Sequence, residues 1–137
     1  MFKALRIHSI SGLTIFIFGV LALLLGAVGI LSPETLLQLL NFETSGGAAR
    51  ATMDYTIVFL TASSMASFNM GVYYILAALN DVRIFYKWTV PFRILTFIVF
   101  TLVVARGIAP PMFIGVAAWE LVGALLTGAA LWYEQRP

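Results

Sequence analysis

The chain has 137 residues, of which 61% are hydrophobic and 10% charged, with eight Lys and Arg, six Asp and Glu and a net charge of +2. A mean hydropathy of +1.00 leaves too few polar side chains to cover a water-soluble fold, whose charged fraction is usually about 25%. The absence of cysteine excludes disulfides, thiolate metal sites, Fe–S clusters and Cys nucleophiles, and singly placed lysines and arginines exclude a phosphate-tracking nucleic-acid surface.

The first predicted span, about 10–31, follows Lys3, Arg6 and His8. Its apolar run is too long for a signal-peptide core and no clean A-x-A site follows, so a signal-anchor is the better reading. Further spans fall at about 55–79, 88–105 and 111–133. At ~1.5 Å per residue, lengths of about 18–25 residues rise roughly 27–37 Å, which matches a ~30 Å hydrocarbon core. Residues 1–137 therefore read as a single domain, an all-α integral membrane protein built as a four-transmembrane-helix bundle.

Between the first two spans, residues 32–54 form the longest connection. Ser32-Pro33-Glu34 reads as an N-cap, a proline at the first helical position and an acid in the first turn. Leu36, Leu37, Leu39, Leu40 and Phe42 then give a short interfacial helix capping the bundle, ended by the turn Glu43–Gly47. Arg50 and Asp54, four apart, predict an ion pair opening the second span. The segment 80–88 is short, basic and aromatic. Pro91 is expected in the first turn of the third span, and Arg93 just beyond it is expected to snorkel to the headgroups. Pro110-Pro111 predicts a tight hairpin into the fourth span.

Orientation follows from the basic residues. Lys3, Arg6, Arg83, Lys87, Arg93 and Arg136 fall on one side and Arg50 and Arg106 on the other, which places both termini in the cytoplasm and suits a bacterial inner membrane. Tyr86, Trp88, Trp132 and Tyr133 would form the aromatic belt at that inner boundary.

Small residues predict the packing. Gly12, Gly19 and Gly26 repeat every seven positions, Ser63, Ser67 and Gly71 every four, and Gly123 lies on a small-residue face of the last span. Asn69 is expected to hydrogen-bond to a neighbouring helix. Glu120 stands alone in an apolar stretch, roughly 13 Å deep by helical rise, and an intramembrane carboxylate marks a polar interior focus. Arg106 and Arg50 are its candidate counter-charges. Lone His8 has no neighbouring ligands, so no metal and no cofactor is expected; the serines lack a histidine, so no catalytic triad is expected either.

Leu31-x-Pro33, Arg50, Arg106-Gly107, Pro110-Pro111 and Trp119-Glu120-Leu121-Val122 together resemble the small bacterial four-helix membrane proteins of the DUF4345 type, broadly DoxX-like and BphX-like, over roughly residues 20–133. The resemblance implies a four-helix fold and draws attention to Arg50, Arg106 and Glu120; the Tyr86–Thr89 segment departs from it. DoxX-like proteins are linked with membrane redox complexes, so it also implies an accessory subunit. Three functions follow, in this order: a non-catalytic accessory or scaffold subunit packing on other membrane subunits or on itself, a binder or isomerase of a lipophilic molecule with Glu120 as polar anchor, and a small proton-coupled exporter.

Overall fold

The computed structural model describes residues 6–135. Lys3 and Arg136 of the orientation count lie outside them. The described chain is helical throughout, in the order α1 Ile10–Leu31, α2 Pro33–Leu39, α3 Thr56–Leu79, α4 Arg83–Ala105, a single 3-10 turn Pro111–Phe113, and α5 Ile114–Glu134. Three segments are long and apolar enough to cross a membrane: Ile10–Leu31, Arg83–Ala105 and Pro111–Glu134. Helix α3 is as long, but Ser63, Ser64, Ser67, Asn69 and two tyrosines dilute its hydropathy.

Helix α1 packs antiparallel on α3 through the glycine seam. A Cβ added at Gly26 would stand 2.7 Å from the Ser64 carbonyl oxygen, and one at Gly71 would stand 2.7 Å from the Gly19 carbonyl oxygen. The two backbones approach as small-residue seams allow. Ser67 Oγ donates across the seam to the Ala22 carbonyl at 2.9 Å. Ser64, not Ser63, is the serine buried here; Ser63 is exposed and bonds back to Leu60 O of its own helix. Gly12 lies beside the Tyr86 hydroxyl rather than in the seam.

Helices α4 and α5 form the second antiparallel pair, and α1 bridges the two pairs. At one end the start of α1 meets the end of α5. Glu134 accepts from the Ser11 N–H at 2.8 Å and the Ser11 hydroxyl at 2.7 Å, placing a carboxylate on the positive end of the α1 dipole. Arg83 ties Glu134 (3.1 Å) to Asp81 (3.2 Å). At the other end, α2 buries Leu36 and Leu37 while leaving Leu39 exposed. Phe42 packs edge-on against Phe113.

Three local expectations are corrected. Helix α4 begins at Arg83, five residues before the predicted third span, so Pro91 lies inside the helix and not in its first turn. Its missing N–H removes one hydrogen bond, to the Lys87 carbonyl. Tyr86 leaves the aromatic belt and is fully buried, its hydroxyl donating to Ala77 O at 3.1 Å. Arg50 and Asp54 do pair, at 2.9 Å, but across a turn preceding α3, with Asp54 capping the helix through the Thr56 N–H.

Candidate functional site

The earlier start of α4 relocates Arg93. It lies about 15 Å along the helix axis from Arg83, in the interior of α4 and not at its end. Only 5% of the residue is exposed. Its Nε donates to Glu120 Oε2 at 2.9 Å, joining α4 to α5. Glu120 thus finds its cation on the neighbouring helix of its own hairpin.

Two features of the sequence make room for this guanidinium. Gly123 lies one turn beyond Glu120, and a Cβ there would come within 2.5 Å of Arg93 Nη1 and overlap the Phe18 ring. Phe18 of α1 presents its face to the guanidinium, 3.6 Å from ring centroid to carbon, a cation–π contact that strengthens as water is excluded. Trp119 packs against Phe18 with the rings tilted and their centroids 4.6 Å apart. Arg93 Nη1 is buried and has no acceptor.

The pair borders a cleft of about 580 Å³ whose walls come from all four long helices. Ala22 and Leu25 of α1, Ser67, Met70 and Tyr74 of α3, Thr96 and Phe100 of α4, and Trp119 of α5 line it. The cleft exists because α3 and α4 meet chiefly near their shared turn, where Tyr74 packs edge-on against Phe85 at 5.3 Å. Beyond that contact the two helices separate. A second hollow of about 650 Å³ lies between Ile7, His8, Ser9 and Arg83. It is more open, and Arg83 and Glu134 there already pair with each other.

Of the residues singled out in the sequence, Glu120 and Ser67 line this cleft and Gly123 packs against Arg93 beside it. Arg50 does not: it binds Glu34 at 2.7 Å and Asp54 at 2.9 Å on the loop side. The Arg50 hydrogen bond is the largest influence pulling the Glu34 carboxyl below its usual pKa. Asp54 is held down to about 2, first by the Thr56 hydroxyl, then by the Thr56 N–H and Arg50. Arg106 caps the end of α4 and is exposed, without an ion pair among the described residues. Asn69 is exposed on α3 and makes no side-chain hydrogen bond among the described residues, contrary to its expected role as an interhelical donor. Arg93 is the residue the sequence reading missed.

Among the described residues, no three His, Cys, Asp or Glu side chains converge to hold a metal. The arrangement offers instead a donor, an acceptor and aromatic walls in one apolar cleft. No family model, curated protein or solved structure matches the chain.

Proposed function

We propose that this chain is a four-span membrane protein that binds a lipophilic small molecule in the cleft beside Arg93 and Glu120. One observation carries the reading. A buried arginine pairs with a glutamate midway along two helices long and apolar enough to cross a membrane, at the wall of a 580 Å³ cleft, and ionisable groups in such segments usually serve a ligand, a relay or a partner. The volume falls within the roughly 300–1,000 Å³ of small-molecule sites, and apolar walls with few convergent polar groups are their common form.

The glycine pattern supports this reading over a scaffold. Gly19, Gly26 and Gly71 meet within the α1–α3 seam, and Gly123 packs on Arg93 and Phe18. These glycines are occupied inside one bundle, where they hold α1 on α3 and admit the guanidinium. Exposed Asn69 on α3 is the one observation that favours an accessory subunit, because an amide facing lipid lacks a hydrogen-bond partner.

Helix α3 completes the bundle as its fourth span, since its seam with α1 leaves it at the same depth. With Arg93 in the interior, Lys3, Arg6, Arg83, Lys87 and Arg136 still outnumber Arg50 and Arg106. Both termini are therefore cytoplasmic by the positive-inside rule, in a bacterial inner membrane. A diazirine-bearing lipophile tests the cleft: it should label Ser67, Met70 and Thr96 above Leu95 and Ile98, which lie at similar depth on the exposed face of α4. Equal labelling of the two sets would refute a cleft that binds.

A further inference from the structure

We infer that the molecule this cleft accepts is electrically neutral and bears a hydrogen-bonding oxygen, a ketone or alcohol on a lipophilic body rather than a carboxylate or an amine. The inference rests on the proposed ligand-binding role of the cleft and names the chemical class of its occupant.

Charge balance is the first argument. Arg93 and Glu120 bond to each other at 2.9 Å and together carry no net charge. The remaining walls, among them Phe18, Met70, Tyr74, Phe100 and Trp119, add no ionised group. A ligand carboxylate would set two negative charges against one positive, and a ligand ammonium would reverse the imbalance. Either leaves an uncompensated charge in apolar surroundings, where solvation cannot offset it. A neutral head leaves the balance intact.

Unfilled hydrogen bonding is the second. A guanidinium carries five N–H donors and no acceptor. Arg93 spends one on Glu120, its face lies against Phe18, and Nη1 has no acceptor. Nη1 itself packs closed beside Gly123, but Arg93 borders the cleft with more N–H donors than the site has acceptors, and a carbonyl or hydroxyl oxygen there supplies one. Glu120, a quarter exposed at its side chain, can in turn accept from a hydroxyl. The aromatic walls suit the apolar body that follows.

The test uses the full chain in lipid discs at pH 8, where an aliphatic acid is ionised and an aliphatic amine is charged. Dodecanol, methyl undecyl ketone, dodecanoic acid and dodecylamine compete against the photolabel at the cleft. The alcohol and the ketone should displace it, with the acid and the amine weaker by about tenfold or more. Glu120→Gln leaves Arg93 unbalanced and should invert the order, making the acid the strongest competitor. The wild-type ranking decides alone if that variant does not fold. Acid or amine competing as well as the alcohol in wild type would overturn the neutral-ligand inference while leaving the cleft as a site. Failure of all four to compete would overturn both.

Discussion

Removing Glu120 strands a guanidinium that has no other charged partner among the described residues. Arg93 is 6% exposed at its side chain and Glu120 24%, so water screens the pair only in part. At an effective dielectric of 20, opposite unit charges about 4 Å apart attract by about 4 kcal/mol. Deleting one member of a buried pair typically costs about 3–5 kcal/mol. Glu120→Leu should reach that range, because arginine cannot shed its proton. Arg93→Met should cost less, about 1–3 kcal/mol, the penalty of an imperfectly satisfied polar group, because the Glu120 side chain is 24% exposed where Arg93 is 6%. The double variant replaces both charges with apolar side chains and should return to within about 2 kcal/mol of wild type. Reversible unfolding in mixed detergent micelles, followed by far-ultraviolet circular dichroism, closes the cycle. Single effects that add within about 0.5 kcal/mol would refute an energetically coupled pair, as would a Glu120→Leu cost under about 1 kcal/mol, the level of an exposed ion pair.

Gly123→Ala should destabilise the bundle by about 1–3 kcal/mol, the usual cost of overpacking, because the new Cβ meets Arg93 and Phe18; Gly115→Ala, with open space around it, should be silent in the same unfolding assay. Gly26→Ala pushes against the backbone of Ser64 and Phe68 rather than a flexible side chain, so it should lower the melting temperature and loosen α1 from α3 in hydrogen exchange. Glu134→Ala removes two acceptors from Ser11 at the start of α1 and should cost about 1–2 kcal/mol by analogy with a lost N-terminal cap. The loop triad predicts an acid transition. Glu34 and Asp54 both have folded pKa values below their ordinary 4.5 and 3.8, Asp54 at about 2. Their stabilisation is therefore full above the ordinary carboxylate range and lost as pH falls toward 2. Protection factors for hydrogen exchange over residues 32–56 should fall across that window, and Arg50→Gln should shift the fall to higher pH.

Long apolar runs made the helices legible. Helix α1 begins and ends where its hydropathy changes, and α2 begins where Ser32-Pro33-Glu34 predicts. The start of α4 was not legible, because Arg83, Lys87 and a proline look like a loop, yet Arg83 is anchored by Asp81 and Glu134 from other elements. That displacement hid Arg93: counted from Trp88 it is a boundary residue, counted from Arg83 it is an interior one. Glu120 stood out because a lone acid in an apolar run admits few explanations, but the identity of its cation depended on the α4–α5 register. Gly123 appeared as packing, and its role in admitting a guanidinium needed the facing helix. Asn69 shows the opposite failure: Ser67 and Gly71 mark the face of α3 that turns to α1, and Asn69, two residues from each, stands on the other side.

The most direct measurement of the central claim is native mass spectrometry of the full chain released from discs of its own membrane, compared with Ala66→Phe. Ala66 lines the cleft from α3, so a larger side chain there takes up cleft space while Arg93 and Glu120 themselves are unchanged. Wild type should carry one small-molecule adduct per chain and Ala66→Phe should carry none. A bare wild-type chain, or an adduct retained unchanged in Ala66→Phe, would contradict a ligand held in this cleft.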